Sequence, residues 1–194
     1  AAKINTDLIS GTTALAVAPA DTDEFLVSDA GTLKRLDYSL IKGGGKVLQV
    51  VSTSKTDTFS STSTSFTDIT GLTVNITPAA TSSKVLVLYN VSGGTDNHNL
   101  TRLLRDSTAI SVGAAASSRS PSTTGNMYDG GSGSNIWTYA VNYLDSPSST
   151  SQLTYKAQLY TSGGTAYINR TRTDADAAYA ARTASTITVM EIGA

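Results

Sequence analysis

From Val47 onward, apolar and polar residues alternate with a period of two, segment after segment. Leu72, Val74 and Ile76 fall on one side against Thr73, Asn75 and Thr77. Val85, Val87, Tyr89 and Val91 share a side, and so do Trp137, Tyr139, Val141 and Tyr143 within the run 136–144. Leu153, Tyr155, Ala157 and Leu159 alternate with Thr154, Lys156 and Gln158. Successive side chains of a strand point to opposite faces, so this pattern predicts half-buried strands. Further strands are predicted over 100–105 and 109–112 about the turn Asp106-Ser107, and over 185–192. Ser162-Gly163-Gly164 reads as a hairpin turn into a strand at 167–169. In 47–51 both faces are apolar, which predicts a central strand. Eight or nine strands without a helical stretch predict an all-β fold, an antiparallel β-sandwich of jelly-roll-like topology.

The region before Gly43 is different. Residues 1–20 are small, polar and weakly patterned. An apolar run at 25–27, the turn Asp29-Ala30-Gly31, a second run at 33–36 and one helical turn near 38–41 predict a small hairpin. A lone hairpin is marginal in water, so it requires a neighbour, such as another chain. Gly43-Gly44-Gly45-Lys46 could suggest a phosphate-binding loop. That motif needs a glycine five residues before its last glycine and a hydroxyl after its lysine, and it opens a helix. Leu40 and Val47 stand at those places, and a β-branched run follows. The glycines read instead as a hinge at 43–45, between a neck at 1–42 and a sandwich tip at 46–194.

Composition narrows the function classes. Ser and Thr make up nearly three residues in ten, as expected where hydroxyls face outward and aliphatics inward. Only 15% of residues are charged and the net charge is -1, so the basic footprint of a nucleic-acid or anionic-membrane binder is missing. No apolar run approaches the ~18 residues of a spanning helix, which predicts no membrane insertion. Cysteine is absent, which excludes disulfides and thiolate metal sites and fits folding in a reducing cytoplasm. His98, the one histidine, lies beside Asp96 in a loop, and a Ser–His–Asp system would have to use it. Gly130-Gly131-Ser132-Gly133-Ser134 ends in serine where a nucleophile elbow needs glycine. Asp174 and Asp176 form a carboxylate pair without the further oxygens that a calcium loop requires. Trp137, Tyr139 and Tyr143 could stack on sugars, but on a strand face they are expected in the core or at a subunit interface. No catalytic residue, cofactor or metal is predicted.

Several segments carry a family likeness: D-E-F-L-V-S-D-A-G-T-L-K-R, S-F-T-D-I-T-G-L-T-V-N-I-T-P, S-S-K-V-L-V, L-L-R-D-S-T-A-I, L-D-S-P, S-G-G-T-A-Y-I-N-R and S-T-I-T-V-M-E-I. Across most of 21–192, thinning between 113 and 134, the chain resembles the C-terminal region of tail fibre proteins from bacteriophages of marine bacteria, cyanophages included. The resemblance implies a homotrimeric, jelly-roll-like tip, located in the virion, assembled in the host cytoplasm and used without catalysis for host attachment. Its implied partners are other virion proteins through the N-terminal part, and a host surface glycan or outer-membrane protein. A capsid (head) fibre or decoration protein is the alternative, and a glycan-degrading tailspike enzyme a further one. If strands alternate in direction, connections 54–70, 93–99, 113–134 and 161–164 fall at the end far from residue 46, and 171–184 falls at the near end. The long insertion 113–134 then supplies the receptor candidates Arg119, Tyr128 and Asp129, with Asp96 and His98 beside them.

Overall fold

The structure, a computed structural model, describes residues 16–41, 46–125, 128 and 133–193. The chain divides into two compact units, Ala1–Gly44 and Gly45–Ala194. The glycines expected to act as a hinge lie outside the described residues.

The first unit contains the expected hairpin. Strand β1 (Glu24–Asp29) pairs antiparallel with β2 (Thr32–Asp37), and a single helical turn, α1 (Tyr38–Ile41), follows. Ala30 and Gly31 both have positive φ, 48° and 84°, as a two-residue hairpin turn demands. Leu26 and Leu33 share one face and stay 60% and 58% exposed. On the other face the Phe25 ring lies 6.1 Å from Tyr38. Exposed ion pairs, Lys34 with Asp29 and Arg35 with Glu24, lace the hairpin without burying its leucines.

The second unit is the sandwich. Its strands are β3 (Val47–Lys55), β4 (Phe59–Ser61), β5 (Thr67–Ile76), β6 (Lys84–Thr95), β7 (Asn99–Arg105) and β8 (Thr108–Ile110). Then come β9 (Trp137–Asp145), β10 (Leu153–Thr161), β11 (Ala166–Ile168) and β12 (Ser185–Ile192). One sheet runs β5-β10-β7-β8. The other runs β3-β12-β6, with β9 on the far edge of β6 and the short pair β11-β4 continuing from its end. Setting β4 and β11 aside leaves eight antiparallel strands, four to a sheet, in jelly-roll order.

The two inner faces meet where the alternation pointed. Val85, Val87, Tyr89, Val91, Ile187 and Val189 from one sheet pack on Leu72, Val74, Leu103, Tyr155, Ala157 and Leu159 from the other. Tyr139, Val141 and Tyr143 close one side of this core, while Trp137 stays 43% exposed at the strand's start. Two carboxylates buried at the margins are hydrogen-bonded across elements. The Asp145 carboxylate accepts from Arg105 Nη1 and from the Tyr155 hydroxyl at 2.7 Å each, tying β9 to the opposite sheet. Burial, followed by this bond to Asp145, raises the Tyr155 phenol, so it stays a donor. Glu191 accepts from Gln49 Nε2 at 2.6 Å and from the Ala79 amide at 2.7 Å. Burial alone would raise its carboxyl, but donation by Gln49, Ser83 and Ala79 outweighs burial and holds it below the ordinary value.

Two expectations are corrected. Strand β3 is an edge strand, paired only with β12. Its second apolar face is left open, with Leu48 and Val50 49% and 55% exposed. Its inward side chains close the corner instead: Gln49 Nε2 donates to Thr77 O at 2.8 Å, and Thr53 Oγ1 to Thr73 O at 2.7 Å. The glycines at 163 and 164 do not form a hairpin either. Strand β10 pairs with β5 and β7, whereas β11 pairs with β4 and β6, so the turn carries the chain from one sheet to the other.

Candidate functional site

Strand β3 runs from Val47 to Lys55, and the Lys55 end of the sandwich collects the long connections. Those are 56–66, which contains three-residue β4, 111–136, and 162–184, which contains three-residue β11; the short turn 96–98 lies at the same end. The opposite end holds 77–83, 106–107 and 146–152. Segment 171–184 therefore lies at the far end, not the near one. Counting β11 as a full strand reversed its direction, but β11 turns back after Ile168, and Ser185 re-enters beside Lys55.

Glycines allow these connections to knit. A Cβ on Gly93 would sit 2.1 Å from Tyr167 O, and one on Gly94 would sit 3.0 Å from Arg172 N. Only a bare backbone fits between β11 and β6 at that point. Gly164, at φ 62°, would press a Cβ to 2.8 Å from Asp96 Cβ. Asp96 binds that turn through its own amide to Thr165 O, 3.0 Å, and through Oδ2 from Thr165 N, 3.0 Å. Thr173 donates to Gly133 O from both its amide and its hydroxyl, 3.0 Å each, fastening 111–136 to 162–184. Asn169 Nδ2 donates to Lys55 O at 2.7 Å, anchoring the base of the cluster to β3.

The side chains displayed there alternate between guanidinium, carboxylate and aromatic ring. Asp174 receives Arg170 Nη1 at 2.9 Å and Arg182 Nη2 at 2.7 Å. Arg172 approaches Asp96 at 3.6 Å, and the Arg170 guanidinium stacks 4.1 Å above the Tyr167 ring. Exposed His98 lies with its ring 5.0 Å from that of exposed Tyr128. Of the candidates read from sequence, the structure thus brings His98 and Tyr128 together, with Asp96 in the same connection. Arg119 sits exposed in its own tight turn, its amide donating to Ala116 O at 3.0 Å. Asp129 lies outside the described residues. Sequence reading missed Arg170, Arg172, Arg182 and Tyr167, because it sent their connection to the other end. The signal was available in Gly93-Gly94, a pair inside a strand that marks close approach by another backbone. The Asp174 carboxylate, weighed as half of an acidic pair, is occupied by two arginines. Chemically, such an end offers rings to stack on and paired donors and acceptors for hydroxylated or charged ligands.

No family model matches the chain, and no curated protein matches it. Among solved structures it is similar to the infectious bursal disease virus Gx strain, at 15% identity and TM-score 0.39, over 86% of this chain and 40% of that one. A second is the infectious bursal disease virus VP2 subviral particle, at 15% identity and TM-score 0.38, over 89% and 38%. A third is the infectious bursal virus derived T=1 particle, at 14% identity and TM-score 0.37, over 89% and 42%. The chain spans about two fifths of the length of these structures. At these scores the matches assign neither family nor function.

Proposed function

We propose that this chain is the tip of a virion fibre, a homotrimer that attaches without catalysis to a host-surface glycan or outer-membrane protein through the loops at its Lys55 end. One observation carries the reading: the three longest connections of the jelly roll gather at a single end, braced by a buried scaffold and tipped with rings and paired charges. The tail-fibre resemblance supports the context. The first unit supports assembly, because a two-stranded hairpin with Leu26, Leu33 and Leu40 at 60%, 58% and 73% exposure lacks a core of its own. Attachment then works by avidity: three weak sites on one rigid body engage a repetitive surface with far greater combined strength than one.

The test is adsorption of the labelled, purified chain to a panel of marine bacteria. Binding to a subset of strains is expected. Joint replacement Arg119→Ala, Tyr128→Ala and Asp129→Ala should abolish it and leave the assembly mass unchanged. Undiminished adsorption by that variant removes these residues from the receptor site. If the intact wild-type assembly adsorbs to no strain, the attachment reading fails in favour of a head-fibre or decoration role.

A further inference from the structure

The outer face of the larger sheet is the most apolar surface that the described sandwich exposes. Across its four main strands the register aligns Val50 with Met190, Met190 with Leu86, and Leu86 with Leu144, a row of aliphatic side chains running edge to edge. All four occupy outward positions, since the residues flanking them, Val51, Val189, Val87 and Tyr143, belong to or pack on the core. Leu48, Ile192 and Leu88 extend the row on either side, and Val50 and Leu144 are 55% and 54% exposed. Beyond the row the face is hydroxylated. Ser52 pairs with Thr188 at 2.7 Å and Ser92 with Thr138 at 2.7 Å. The only ionisable residue at an outward position of these four strands is Lys84 at the rim, bonded to Ser146 Oγ at 2.8 Å.

We infer that this face, β3-β12-β6-β9, is where copies of the chain meet. The inference rests on the homotrimer reading above and adds the surface. Two arguments name a second copy as the occupant. The first is size. Four strands spaced about 4.8 Å apart, each nine residues long at about 3.3 Å per residue, give a face on the order of 19 Å by 30 Å. Its area, roughly 600 Å², would in a trimer be divided between the two neighbouring copies, so the face supplies part of the ~800 Å² that each partner buries in a standard stable interface. The second argument is charge. A partner bringing carboxylates or ammonium groups would bury them opposite leucine and threonine with nothing to pair them. The same face on another copy brings aliphatics to aliphatics and hydroxyls to hydroxyls, leaving Lys84 at the rim. Edge strands β3 and β9 bound the face and would be shielded by the same association.

The chain has no cysteine, so a single introduced thiol reports without background. Val50→Cys or Leu144→Cys, treated with a short bis-maleimide, should give covalent dimers on a denaturing gel. Lys156→Cys, on the outer face of the other sheet, should stay monomeric. In parallel, Val50→Lys with Leu144→Lys should shift the mass by light scattering from trimer to monomer at micromolar concentration, with the strand signal in circular dichroism retained. A wild-type chain that is itself monomeric sinks the homotrimer reading together with this one. A wild-type trimer that the lysines leave intact, with no cross-link at residues 50 or 144, overturns the face alone and leaves the homotrimer standing. Cross-linking confined to one chain, between Val50→Cys and a thiol placed in 16–41, identifies the neck as the occupant and also overturns it. If the lysine variant fails to fold, the cross-links decide.

Discussion

The two outer faces of the sandwich share a backbone architecture and one core, yet they are chemically opposite. On the smaller sheet, Lys156 Nζ and Gln158 Nε2 both donate to Asp68 at 2.7 Å, and Arg102 donates to Gln158 Oε1 at 2.6 Å. Arg102 also lies 4.1 Å over the Phe66 ring, itself 5.5 Å from Tyr160. Charge, amide and ring are interleaved across strands, as a solvated sheet requires. The larger sheet replaces that lattice with Val50, Met190, Leu86 and Leu144 in one row and hydroxyls in the next. A face that had only to meet water would gain from charge for solubility and for protection of its edges. On the proposal above, its absence from one side alone separates the surface for contact from the one for solvent.

The sharpest way to break the comparison is to attack what the faces share. If both sheets back onto one core, truncation from either side should cost alike. Leu159→Ala on the smaller sheet and Ile187→Ala on the larger, both fully buried, should each lose about 2–5 kcal/mol in urea unfolding. Asp145→Ala should cost about 3–5 kcal/mol, because it leaves Arg105 beside the Tyr155 hydroxyl without the carboxylate that holds both. A loss below about 1 kcal/mol at Ile187, with the full loss at Leu159, would mean that the larger sheet is not stabilised from inside and the faces differ for that reason.

Much of this was legible in the sequence. Period-two alternation identified the inner side of β5, β6, β9 and β10, from Val74 to Leu159, because burial of one face imposes that period. The hairpin turn at Ala30-Gly31 was legible for the same kind of reason, as positive φ favours glycine. What covers a face is not written in one strand. The run at 47–51 shows two apolar sides, and a central strand and an edge strand with an uncovered side read identically. Strand β11, three residues long, has no period to read, so neither its change of sheet nor the return of 171–184 could be counted. The meeting of His98 with Tyr128 depends on loop closure across thirty residues, and Arg119, in the same insertion, folds into a separate turn.

A smaller effect sharpens the contrast through acid. Glu191 points inward from the larger sheet, and Asp68 outward from the smaller. Both carboxyls are held below their ordinary values: at Asp68 burial opposes the shift, and donation by Lys156 and Gln158 overcomes it. A carboxyl lowered in the folded state adds stability that is fully present above its ordinary value, 4.5 for Glu191 and 3.8 for Asp68. That stability is lost as pH falls through the folded value, when the native state must take up the proton. Unfolding free energy should therefore decline below about pH 4.5 in the wild type. Glu191→Gln should flatten that decline more than Asp68→Asn, because Glu191 is enclosed and water screens Asp68. Equal flattening by the two variants would mean the inner and outer carboxylates are equivalent.

The smallest effect concerns the charged face itself. Lys156 and Asp68 form a partly exposed pair, with side-chain exposures of 24% and 48%. Exposed pairs gain little in water, lose side-chain entropy to hold their geometry and weaken with salt. Lys156→Ala should thus cost less than about 1 kcal/mol, and the cost should shrink further in molar salt. It should leave the assembly mass untouched, since this face is assigned to solvent. That last readout ties the pair to the comparison: the same substitution size at Leu144, with no charge to lose, should weaken association while sparing the monomer. If Lys156→Ala dissociates the assembly and Leu144→Ala does not, the two faces have been assigned the wrong way round. The lattice of charges would then be the contact surface, and the aliphatic row an exposed one.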